Sequence, residues 1–133
     1  MSAHRMVIIG ALLAAAGVGL GAFGAHGLSD ALGAELAPAE RERRLDNWDV
    51  AVRYQMYHAL GLLAAGILSR FNPSQALRWA AWLFLLGVAI FSGCLYMLVL
   101  SGIKILGAIV PIGGVAMIAG WIALAAGSAG RKE

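Results

Sequence analysis

The sequence predicts an all-α integral membrane bundle of four transmembrane helices, with an extramembrane segment between the first and second. Three observations predict it. The 133 residues are 61% hydrophobic and only 13% charged, with a mean hydropathy of +0.81. A soluble domain carries about a quarter of its residues as charges, so the surplus apolar surface here must face lipid. Four apolar runs of near twenty residues occur, the length a helix needs at about 1.5 Å per residue to cross roughly 30 Å of hydrocarbon. None alternates in polarity as a barrel strand would. The length fits one domain, residues 1–133.

The first run, Met6–Ala25, follows Arg5 and contains the small residues GAFGA, in the manner of a signal peptide. It is longer than a signal core, and a retained span is expected. Residues 29–53 form the one substantial extramembrane piece. Within it Pro38 suits a helix start, and Leu45, Trp48 and Val52 recur at helical spacing among charges. This predicts an amphipathic interfacial helix leading into the second span, Val50–Ser69. RFNPSQALR, with its Pro73 break, is a short connection to the third span, Trp79–Ser101. SGIK is a tight hairpin into the fourth, Ile105–Gly127, which makes the last two spans antiparallel neighbours.

Lipid offers helices no hydrophobic reason to associate, so close packing between small residues must supply it. In the first span Gly10, Ala14, Gly17, Gly21 and Gly24 make one small face, while Ile9, Leu12, Leu13, Leu20 and Phe23 can face lipid. In the last, Gly113, Ala116, Gly120, Ala123 and Gly127 repeat the device. A first-to-last contact through these faces would close the bundle; alternatively one face is left for another subunit. Pro111 lacks the amide hydrogen for the Gly107 carbonyl and is expected to kink the last span, as packing or as a hinge.

The net charge of +3 and pI near 9.5 do not indicate a nucleic-acid partner, because the basic residues are scattered at the ends of apolar runs. The expected partners are the lipid bilayer and a second copy or a larger membrane complex. Cys94, the only cysteine, lies inside an apolar run, and no HExxH, P-loop, GxSxG or CxxC motif occurs. An even number of spans puts both termini on one side. Arg5, Arg70, Arg78, Arg131 and Lys132 collect there, against Arg41, Arg43, Arg44, Arg53 and Lys104 opposite. That count is tied. The first set flanks the spans directly and Arg41, Arg43 and Arg44 sit among acids, which favours cytoplasmic termini and a bacterial inner-membrane location.

The polar residues gather at one end. His26, Tyr54, Tyr57, His58, Ser92, Tyr96, Lys104 and Pro111 all belong to the half away from the termini. A helical wheel puts Tyr54, His58, Gly61 and Ala65 on one face with Tyr57 beside them, all inward. Met56, Leu60, Leu63 and Ile67 fall on the opposite, lipid-exposed face. Intramembrane polar residues carry a functional hypothesis by default. Three alternatives stand: helix anchoring, a pocket for a small polar ligand or lipid headgroup, and a metal or haem site using His26 and His58. No carboxylate or thiol is placed to assist the last, so no metal or cofactor is assigned.

GAFGAHGL (21–28), AVRYQMYHALGLL (51–63), FSGCLYML (91–98) and IVPIGGVAMIAGW (109–121) together resemble the YgdD/YwdK-type family of small membrane proteins, which carries a domain of unknown function and has a mitochondrial transmembrane relative in animals. The resemblance covers nearly the whole chain, departing mainly at SDALGAELAPAERERRLDNWD. It implies a four-span inner-membrane protein and brings no activity, substrate or catalytic residue. The expected function is a non-enzymatic structural or accessory component that self-associates or docks on another membrane protein. The alternatives are a transporter or ligand-binding protein using the end near His26 and His58, and a haem or quinone redox helper.

Overall fold

The computed structural model describes residues 1–129; Arg131 and Lys132, counted above for orientation, lie outside them. Five helices follow in order: α1 (Ala3–His26), α2 (Leu28–Ala31), α3 (Pro38–Phe71), α4 (Gln75–Ser101) and α5 (Ile105–Ala129). Local chemistry sets their ends. Ser2 caps α1, its hydroxyl accepting from the Arg5 amide at 3.4 Å. Pro38 opens α3 with its ring-fixed φ, and the helix closes at Asn72, before Pro73. Ser74 caps α4 by accepting from the Leu77 amide at 3.2 Å. Gly102, at φ +74, ends α4 in the left-handed conformation and returns its amide to the Leu98 carbonyl at 2.8 Å.

Three helices, α1, α4 and α5, are long and apolar enough to cross a membrane; α3 is not among them. The second predicted span is the latter part of a 34-residue helix, roughly 50 Å long. Its composition is diluted by Arg53, Tyr54, Gln55 and His58. The physical reason is position: α3 is the central helix, packed against α1 and α4, and it buries Gln55 and His58 in protein. The amphipathic stretch from Pro38 is helical and continuous with the segment predicted as the second span. Its apolar face does not lie on the membrane, however. Trp48 joins Leu28 and Val99 in a small core, with Leu45 and Val52 packed on it.

The glycine faces find partners inside the chain, which overturns both expectations for them. α1 packs on α3 and α5 on α4, so there is no first-to-last closure and neither groove is vacant. The pairing is antiparallel and repeats every seven residues. A Cβ built on Gly10, Gly17 or Gly24 would meet Leu63, Met56 or Trp48 at 2.9, 2.6 and 2.6 Å. On α5, a Cβ on Gly113, Gly120 or Gly127 would meet Phe91, Phe84 or Leu77 at 2.5, 2.7 and 2.8 Å. At Gly17, Gly24, Gly120 and Gly127 a large side chain of the neighbour fills the hole, in the knobs-into-holes sense, whereas at Gly113 the α4 backbone itself comes close, through the Phe91 nitrogen and the Gly87 carbonyl. Gly21 is the looser member, with Val52 at 3.4 Å. The supposed lipid face of α3 is corrected accordingly: Met56 and Leu63 fill α1, and only Leu60 and Ile67 are exposed. Ile9 and Leu13 pack against the main core of Met6, Leu62, Leu77 and Phe84 rather than lipid. α5 continues as helix through Pro111, whose ring is exposed.

Candidate functional site: a polar seam between helices

The seam starts from the glycine spacing. Where a glycine sits four residues after a carbonyl, nothing shields that oxygen from a neighbouring helix. Trp48 donates its indole Nε1–H to the Leu20 carbonyl at 2.9 Å, and Gly24 makes the room. Seven residues along α3, Gln55 donates Nε2–H to the Leu13 carbonyl at 2.9 Å, beside Gly17. The Gln55 Oε1 in turn accepts from the Tyr96 hydroxyl at 2.9 Å, which brings in α4. Tyr96 also leans on the Trp48 ring, with centroids 4.7 Å apart. Ser92, one turn earlier on α4 and buried, donates to the Ala51 carbonyl at 2.8 Å.

His58 makes the connection to α5. It is 5% exposed. Its Nδ1 lies 2.7 Å from the Tyr54 carbonyl, and its Nε2 lies 3.1 Å from the Trp121 indole nitrogen. A carbonyl can only accept and an indole N–H can only donate. The ring therefore carries its hydrogen on Nδ1 and offers a lone pair at Nε2. Both nitrogens are engaged, so neither is open to a metal or haem iron. Phe84 and Trp121, edge to face with each other at 5.0 Å, pack against the ring with centroids 5.6 and 6.0 Å away.

Of the predicted cluster, the structure joins Ser92, Tyr96 and His58 through α3. Tyr54 contributes its backbone carbonyl, while its ring, partly exposed, stacks on Phe91 at 4.5 Å. Tyr57 is 52% exposed and does not point inward. A helix turns about 100° per residue, so Tyr57 next to the buried His58 faces out of the bundle. His26 is exposed in the last turn of α1, at the level of Trp48 and far up α3 from His58. The two histidines do not form a site, and among the described residues no cluster of three metal-ligating side chains occurs.

Sequence reasoning missed Gln55 and Arg44. Gln55 is in heptad phase with Trp48 and Leu62, a signal that could have found it. Arg44 sits in the ERERR run that looks merely solvated. It donates Nε–H to Glu40 at 2.9 Å and an Nη1–H to the Val99 carbonyl at 2.9 Å, clamping the extramembrane start of α3 to the end of α4. The Arg44 hydrogen bond, helped by the charges of Arg43 and Lys104, holds the Glu40 carboxyl below its ordinary value of 4.5. Arg41 similarly donates to the Ser29 carbonyl at 2.7 Å and to the Gly33 carbonyl, fastening the turn after α2.

The profile of a family described as "Protein of unknown function (DUF423)" matches residues 20–114. The UPF0382 membrane protein SSP2132 of Staphylococcus saprophyticus is 49% identical over 122 residues, covering 92% of this chain and 94% of that protein. The UPF0382 membrane protein SH2409 of Staphylococcus haemolyticus is 49% identical over 118 residues, 89% of each. The UPF0382 membrane protein YwdK of Bacillus subtilis is 44% identical over 117 residues, 87% of this chain and 89% of that protein. No solved structure matches. Helices built to span, and relatives named as membrane proteins along nearly their whole length, place the chain in the DUF423/UPF0382 family of uncharacterised bacterial membrane proteins.

Proposed function

We propose that the protein is a four-span, non-enzymatic component of the bacterial inner membrane, with both termini in the cytoplasm, working by association with a second copy or a larger membrane assembly. One observation carries the reading: the buried polar side chains are spent on holding helices to one another. Among the described residues no buried side-chain nitrogen or oxygen lacks a hydrogen-bond partner. A site for catalysis or transport keeps donors or acceptors aimed into a cavity. The main clefts border the two ends of the bundle, and His58 and Pro111 line none of them. The same observation supports α3 as the fourth span, because polar groups paired inside protein cost little in hydrocarbon.

With the glycine grooves filled, association falls to the outer face of α1. Ala11, Ala15, Gly19 and Ala22 lie on one side at small-xxx-small spacing, all exposed, and a Cβ at Gly19 would meet nothing within 4 Å. A cysteine placed at Ala15 in a Cys94→Ser background is expected to form crosslinked dimers in native membranes. One at Ile118, on the outer face of α5, is expected to stay monomeric. Absence of crosslinking at Ala15, or equal crosslinking at both positions, would remove the self-association half of this reading.

A further inference from the structure

The end of the bundle opposite the seam carries two adjoining clefts. One, of about 250 Å³, is bounded by Met1, Ser69, Ser74 and Arg78. The other, of about 450 Å³, is bounded by Met1, Arg78, Trp79 and Trp82. Arg78 stands in both. Its guanidinium has a single hydrogen-bond partner among the described residues, the neutral amide oxygen of Gln75. Among the described residues the acids, Asp30, Glu35, Glu40, Glu42, Asp46 and Asp49, all belong to the far end, where Arg43, Arg44 and Arg53 are ion-paired.

The rest of the lining is donor-rich. Ser69 is nine-tenths buried, and its hydroxyl finds only the Met6 thioether, 3.8 Å away and a weak acceptor. Trp79 and Trp82 are more than half exposed, and neither indole N–H bonds to a described residue. A forked guanidinium suits the two free oxygens of a phosphodiester. Indoles at the first turns of a span suit the ester level just beneath a headgroup.

We propose that these clefts hold the phosphodiester headgroup of an anionic glycerophospholipid, with Arg78 on the phosphate and Trp79 and Trp82 flanking the glycerol and upper chains. The site is independent of the self-association reading, and it needs a lipid of the right charge rather than a protein partner.

Full-length protein in mild detergent, loaded from phosphatidylglycerol or phosphatidylcholine micelles, gives the test by native mass spectrometry. Retention of one phosphatidylglycerol, and little phosphatidylcholine, is expected. Arg78→Gln should lower that retention at least about tenfold, the usual weight of a hydrogen bond to a charged group. Arg70→Gln, exposed at the same end but outside both clefts, should leave it nearly unchanged. Trp82→Leu, which removes only an exposed ring, should also lower it while the helical circular dichroism stays intact. Equal losses in the two arginine variants, or equal retention of both lipids, would overturn the site in favour of a diffuse cationic surface. Displacement of the lipid by millimolar glycerol phosphate or inorganic phosphate would overturn the lipid assignment in favour of a free phosphate.

Discussion

A methyl group at Gly113 would stand 2.5 Å from the Phe91 backbone nitrogen and 3.0 Å from the Gly87 carbonyl oxygen. Backbone cannot swing aside as a side chain can, so α4 and α5 would have to part. Gly113→Ala is expected to cost about 1–3 kcal/mol, the usual penalty of overpacking. Gly93→Ala on α4 meets nothing within 4 Å and should be neutral or slightly stabilising, since alanine is the better helix former. Reversible unfolding in mixed micelles checks both; equal effects would refute the knob-and-hole account. At Gly17 the intruding atom is the Met56 sulfur, at the tip of a flexible chain, so alanine there should fall between the two. The glycines were visible in the sequence because their spacing is periodic. Their occupants were not: small residues announce that something comes close, and only the register between helices says which side chain arrives. Gln55 was passed over for a related reason. Its aromatic neighbours Tyr54 and Tyr57 were more conspicuous, yet they face outward while the amide is 4% exposed.

At the scale of the element, α3 explains why the span count read from apolar runs and the apolarity of the helices diverge. Hydropathy measures composition, and a central helix can carry amide, imidazole and indole groups provided its neighbours accept them. The amphipathic start at Pro38 was legible from spacing. Its docking was not, because the arginine that fastens it is one of several in a charged run. Arg44→Gln removes the bonds to Glu40 and offers the Val99 carbonyl a shorter reach. Faster amide exchange is expected over residues 38–48 with α5 unchanged, and uniform protection would contradict the clamp. The pH dependence has a definite sign. Glu40 is held below 4.5 in the folded lobe, so its contribution is present above the unfolded pKa and lost as pH falls through the lower, folded one. The protection factors over the same residues, which take out the pH dependence of the intrinsic exchange rate, should therefore be flat from about pH 7 to 5 and fall only in stronger acid. A fall in protection near neutrality would point to another group.

For the whole molecule, the helices stand in the order α1, α3, α4, α5, each antiparallel to the next, and the ion pairs of the described residues, at Arg43, Arg44 and Arg53, all lie at the end away from the termini. The proposed orientation predicts that alkaline phosphatase inserted between Gly33 and Leu36 is active in the periplasm, whereas the same enzyme after Glu133 is not. The opposite pattern would invert the topology. Membership of an uncharacterised family leaves the role to be found through what the bundle touches, its own kind or a lipid. Within it the two donors that Trp48 and Gln55 extend to α1, one heptad apart, have a mechanical effect. They act as a pair of pegs, so α1 can neither slide as a piston along α3 nor turn as a screw without both letting go. α5 has a single such peg among the described residues, Trp121 to His58, and is otherwise seated on α4 by the close fit at Gly113, Gly120 and Gly127, so its hold is steric where that of α1 is also polar.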